Sequence, residues 1–188
     1  MFFPRLFAST TPFGAVARGL LAGAAGTAAM DAVWFIRYRK GGGEDSLQDW
    51  EFSAGLDDWA AAPAPAHVGK RVAEALLQKE LPSSAARLTN NVTHWGYGLF
   101  WGSVYGMVAA SISQGTVRSP RGMLTAGVAF GSVVWGSGYV VLPLLKLYRP
   151  IWEYDARTLA KDLTAHLAYG VGTAVTFGLS TRRNRDCW

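Results

Sequence analysis

The sequence predicts an all-α integral membrane protein, a four-helix bundle built from two parallel two-helix repeats. Three observations predict it. Four segments are each about 20 residues long and predominantly apolar, the length a helix needs to cross a bilayer. The acidic residues are gathered in one stretch between the first two segments. The second and fourth segments open on the same motif at the same spacing.

The bulk composition agrees with this class. Of 188 residues, 50% are hydrophobic and only 16% are charged, against about a quarter in soluble domains. Glu44, Asp45, Asp49, Glu51, Asp57, Asp58, Glu74 and Glu80, eight of the 13 acids, lie in the central segment. The single cysteine, Cys187, excludes an internal disulfide and a thiolate zinc site built within one chain. The net charge is +5, and its arginines flank apolar runs instead of forming a stripe. That pattern fits membrane-surface charge and makes the lipid bilayer, not nucleic acid, the expected partner.

The spans are expected at about residues 16–36, 93–113, 123–145 and 162–180. The first resembles a signal peptide, but its apolar run continues to Trp34-Phe35-Ile36 and stops at Arg37, Arg39 and Lys40. It is therefore expected to stay as an anchor. Residues 41–92 form a polar loop with one amphipathic helix, "HVGKRVAEALLQKEL", in which Val68, Val72 and Leu76 fall on one line. This helix is expected on the membrane surface or against the bundle end. The loop "LYRPIWEYD" after the third span carries Trp152 and Tyr154, rings that suit a lipid–water boundary. An even number of spans places both termini on one side, and the basic tail with Arg182, Arg183 and Arg185 points to the cytoplasm.

The repeat explains the glycines. "THWGYGLFWGSVYG" begins at Thr93 and "AHLAYGVGTAVTFG" at Ala165. Placing His94 on His166 also places Tyr97 on Tyr169, Gly98 on Gly170, Gly102 on Ala174 and Gly106 on Gly178. Spans one and three likewise begin alike, Arg18-Gly19-Leu20-Leu21 against Arg121-Gly122-Met123-Leu124. Two copies of a unit that crosses the membrane twice have the same orientation, related by an axis along the membrane normal. Gly98, Gly102 and Gly106 form one small-residue stripe; Gly170, Ala174 and Gly178 form another. Gly19 and Gly23 in the first span, with Gly127 and Gly131 in the third, supply the matching faces. In lipid, close approach through such residues is a main source of helix adhesion.

Polar residues continue these stripes. His94 and His166 each precede a stripe glycine by four residues, and Asp31 follows Thr27 by four on the first span, so all three are expected to face inward. They fall toward the membrane surface that carries the long loop. Tyr97 and Tyr169 join them in the expected buried polar cluster. Three roles are open to it. The groups can be interhelical glue. They can form a proton or small-solute site, since ionisable groups inside spans are costly. Or His94 and His166 can ligate a metal or haem. No nucleophile elbow, phosphate-binding glycine loop, HExxH or CxxC is present, so an enzyme is not expected.

"RGLLAGAAGTAAMD", "HWGYG" and "HLAYG" together resemble the YagU-like family of small bacterial inner-membrane proteins. The resemblance covers the spans, not the long loop. It implies a multi-span inner-membrane protein without an established biochemical activity, with acid tolerance attached to one branch. The expected function is accordingly non-enzymatic: stress-related or small-solute and proton handling through the Asp/His cluster, without a cofactor. The alternatives are a haem- or metal-binding redox protein, and a scaffold that joins itself or another membrane protein through its glycine faces.

Overall fold

A computed structural model describes residues 11–112 and 119–182, which form helices and connecting loops without a strand. Six α-helices follow in order: α1 Pro12–Lys40, α2 Leu47–Glu51, α3 Ala64–Leu77, α4 Ala86–Ser111, α5 Pro120–Leu144 and α6 Ala156–Arg182. The end of the second expected span and the terminal arginines Arg183 and Arg185, used to orient the chain, lie outside the described residues.

Local sequence sets the helix starts. Thr11 caps α1, its Oγ1 accepting from the Gly14 amide at 3.1 Å, with Pro12 in the first turn. Ser119 and Pro120 start α5 in the same way, with Gly122 donating at 3.0 Å. A side-chain acceptor at the cap satisfies an orphan amide, and proline costs nothing where no amide bond is due. Arg37, Arg39 and Lys40 close the last turn of α1, where cations complement the helix dipole. All four long helices begin earlier than the expected spans because polar turns precede the apolar run.

α1 and α5 are long and apolar enough to cross a membrane. In α4 and α6 the same length is diluted by glycine, hydroxyl and ring-nitrogen residues. α1 packs along both α4 and α6, and α5 packs along α6. The spatial order is therefore α4–α1–α6–α5, with α4 and α5 on the flanks.

The glycines are where these helices touch. A Cβ on Gly19 would stand 2.5 Å from the Gly102 carbonyl oxygen, and one on Gly102 would stand 2.5 Å from that of Gly19. A Cβ on Gly127 would come 2.6 Å from Val171 Cα, and one on Gly170 would come 2.5 Å from the Gly131 nitrogen. Gly23, Gly98, Gly106 and Gly131 are similarly pressed against backbone or Thr27. Ala174 and Gly178 are buried on α6. These contacts are all within the chain. At these positions the glycine faces are met by the protein's own helices.

Between the two pairs, Ala22, Tyr105, Ala109, Ala174 and Phe177 form the core, with Ala126 and Phe130 against it. Tyr105 and Phe130 rings meet at 4.9 Å and bridge α4 to α5 in this half of the molecule. In the other half the flanking helices stand apart.

The long loop is docked, not free. Trp50 of α2 packs between Phe35 and Tyr38 of α1, with centroids at 5.3 and 6.1 Å. Ser53 has φ 50°, a left-handed turn that aims the Phe52 carbonyl and Ser53 hydroxyl at α4. There Arg87 and Asn91 donate to Phe52 O at 2.8 and 3.0 Å, and Asn90 donates to Ser53 Oγ at 2.9 Å. The amphipathic helix α3 lies against α4. The helix meets α4 through Ala66 and through Gly69, which fits against Thr89 and Thr93. Small residues allow the closer approach, so Val72 and Leu76 point outward, Leu76 79% exposed. Trp152 is exposed as expected at a boundary, whereas Tyr154 turns in against Tyr139 at 5.4 Å.

Candidate functional site

The wider half of the bundle holds a partly open cavity of about 380 Å³. It lies toward the long loop, where α1 and α5 end and α4 and α6 begin. Both histidines line it, from opposite walls: His94 with Tyr97 on α4, and His166 with Asp162 and Tyr169 on α6. Trp34 of α1 and Trp135 and Tyr139 of α5 complete the sides. Pro63, Ala64 and Val68 form the roof, which gives the alanine–proline stretch of the loop a structural place.

On the α1/α4 side the expected Asp31–His94 pairing is present. Asp31 is buried at 5% exposure, and His94 Nε2 lies 2.9 and 3.1 Å from its two carboxylate oxygens. Thr27, one turn earlier, donates back to Gly23 O at 3.0 Å and sits against Gly98. A third acid joins them from the loop. Glu51, the last residue of α2, accepts from Trp95 Nε1 at 3.1 Å and adjoins Asp31. Burial, then the nearby Asp31 carboxylate and a hydrogen bond to it, push Glu51 up to about 7. Such a cluster can hold one proton more or less near neutral pH.

The α5/α6 side is built differently. His166 Nδ1 lies 2.9 Å from the Asp162 carbonyl oxygen one turn earlier, an arrangement in which Nδ1–H donates. The Asp162 carboxylate is 3.4 Å from the same nitrogen, and Tyr139 donates to its other oxygen at 3.0 Å. Outside the long helices, Tyr148 closes the wall. Burial and then the Asp162 carboxylate raise its phenol to about 12.

Of the five residues expected in one polar cluster, Asp31 and His94 touch, and His166 faces the same cavity without reaching them. Tyr169 is buried and donates to Gly98 O at 2.7 Å, linking α6 to α4. Tyr97 is corrected: it is 47% exposed and meets Trp101 edge-on at 6.1 Å. Tyr169 takes the buried place against Gly98, and its sequence counterpart stands on the cavity rim. Glu51, Asp162, Trp95 and Tyr139 were not anticipated. Asp162 precedes His166 by four residues, the same spacing that relates His94 to Gly98, so helical periodicity carries a signal for it. Nothing local points to Glu51.

The haem alternative meets a specific obstacle. Nε2 of His94 is held by both oxygens of Asp31, so ligation through it requires Asp31 to be displaced. Among the described residues, no group of three or more His, Cys, Asp or Glu side chains is placed to hold a metal ion. No family model matches the chain, and no curated protein or solved structure matches it.

Proposed function

We propose that this is a non-enzymatic, four-span inner-membrane protein that handles a small solute in its interhelical cavity, with protonation of the Asp31–His94–Glu51 cluster linked to that task. What supports the membrane setting is the distribution of side-chain size. The seams between helices are Gly, Ala and Thr, while Leu21, Phe100, Val133, Val140 and Leu144 stand outward, each more than half exposed. Water penalises so much outward apolar surface, and lipid does not. The two pairs, α1/α4 and α5/α6, share the glycine seam expected of a two-by-two repeat, with α1 inside the row and its counterpart α5 on the flank. The resemblance to YagU-like proteins, one branch of which is tied to acid tolerance, agrees with titratable groups at this position.

The observation that carries the solute reading is the cluster itself: two carboxyl groups and an imidazole, shared by a helix pair and a loop, beside a partly open cavity. Ionisable groups at such a place are costly and are retained chiefly for transfer of protons or solutes. The test uses liposomes containing the protein and a trapped pH-sensitive dye. After an external acid step, with the dialysable small-molecule fraction of a cell extract present, the wild type should acidify the lumen faster than a folded Asp31→Asn variant. Equal rates with and without the extract would remove the proton-linked reading.

A further inference from the structure

We propose that the cavity binds a small organic cation with apolar substituents, of the quaternary-ammonium type. This names the ligand of the solute site proposed above and rests on that reading for its physiological setting, though the chemistry of the walls carries it.

Four features of the walls point the same way. The volume of about 380 Å³ falls within the range of small-molecule sites. Six rings line it: Trp34, Tyr97, Trp135, Tyr139, Tyr148 and Tyr169. Aromatic faces carry negative quadrupole potential and attract cations, most of all alkylated ones with little hydration to lose. Asp162 supplies the one carboxyl group among the described lining residues, and no lysine or arginine is among them. Arg37 stacks on Trp34 at 4.9 Å but reaches away to Lys161 O and Thr164 on α6.

Asp162 is also held in place for this role. Tyr139 donates to one of its oxygens and His166 lies beside the other, so the carboxylate is oriented on the wall before a ligand arrives. His94 faces the cavity with Asp31 behind it, so positive charge on that ring is answered by its own partner. Met30, Val134, Leu142 and Val68 make much of the remaining wall apolar, with side-chain hydroxyls there only on Thr27 and Thr93. That favours alkyl groups on the cation over a primary ammonium, which would leave donors unpaired. An anion would meet ring faces and a carboxylate, and would be excluded.

The test is isothermal titration of the full chain in detergent micelles with three probes on a common ring: benzyltrimethylammonium, benzyl alcohol and benzenesulfonate. The cation should saturate one site at least about tenfold tighter than the alcohol, and the sulfonate should not bind. Asp162→Asn should weaken the cation roughly tenfold and leave the alcohol unchanged. Because Asp162 also anchors Tyr139, Gly138→Leu is the second variant. Gly138 lines the cavity and a Cβ there meets only Leu142 Cδ1 at 4.0 Å, so the new side chain fills the cavity without pressing on a helix. It should abolish binding of the cation.

Equal or tighter binding of the alcohol or sulfonate, or a cation affinity unchanged in both variants, would overturn the ligand assignment. Repeating the titration in buffers of different ionisation enthalpy separates this proposal from the proton-linked reading. Cation binding with no proton exchange that depends on Asp31 keeps the ligand and removes the linkage. A liposome result that depends on Asp31, without cation binding, removes the ligand alone.

Discussion

The two histidines occupy matching places in sequence and opposite walls of one cavity, yet they are held by different means. His94 takes its acid from another helix, Asp31 of α1, and that acid meets a third group, Glu51, carried in by the loop. His166 is satisfied within its own helix, by the carbonyl and carboxylate of Asp162. The glycine seams around them are alike: α1 against α4 and α5 against α6 both meet backbone to backbone. The difference shows that the seam sets the distance between helices, while the position of the acid decides whether a histidine ties two elements together or one turn to the next. It also separates the tasks of the walls. The α1/α4 side gathers Asp31, His94 and the loop's Glu51, and the α5/α6 side has a hydrogen-bonded carboxyl group among rings.

The seams give the sharpest break of this comparison. Gly102→Leu drives a side chain into Gly23 Cα and Gly19 O and should cost about 3 kcal/mol or more, read as loss of the folded species on size exclusion. Gly136→Leu on α5, where a Cβ meets nothing within 4 Å, should leave the thermal midpoint within error. Equal losses would mean the helices are not held by backbone contact at Gly102.

Removing each imidazole tests the second difference. His94→Ala leaves the buried Asp31 carboxylate without its main partner and should cost ~2 kcal/mol, less than a fully buried pair because His94 is partly exposed. His166→Ala removes a bond within one helix and should cost ~0.6 kcal/mol, typical of polar contacts in bundles. Thermal unfolding in one detergent compares the two, and a larger loss at His166 would reverse the assignment of roles.

A smaller effect comes from pH. The Glu51 carboxyl is raised in the folded protein from 4.5 to about 7. The folded state therefore binds this proton more tightly, and the stability it contributes is present below pH 4.5 and lost as pH rises to about 7. The protection factors of α2 amides, with the intrinsic pH dependence of exchange divided out, should fall across that window in the wild type. In Glu51→Gln, which keeps the acceptor for Trp95 without a charge, that fall should disappear.

Much of this was legible in the sequence because helical periodicity is local. Gly98, Gly102 and Gly106 declare a seam by their spacing alone, and Asp31 declares its inward face by following Thr27 on the same stripe. The pairing partners were not legible where they depend on loop geometry. Glu51 lies 20 positions beyond Asp31, in a stretch without period, and only the left-handed turn at Ser53 and the docking of Trp50 bring its carboxyl back. The residues by which α3 meets α4 were not legible for a related reason. Its large apolar residues mark a line that hydrophobicity picks out, while the packing uses Ala66 and Gly69, which hydrophobicity ranks low. Tyr97 shows the limit of repeat arithmetic, since two equivalent positions cannot both fill one space.

The most direct test of the account is the infrared band of protonated carboxyl groups, followed against pH in the purified full chain. The account predicts a band that titrates near pH 7 in the wild type, is absent in Glu51→Gln, and moves to lower pH in Asp31→Asn as the neighbouring negative charge is removed. A band that persists unchanged in Glu51→Gln, or no protonated carboxyl above pH 6 in the wild type, would contradict the claim that the loop completes a titrating cluster with Asp31 and His94.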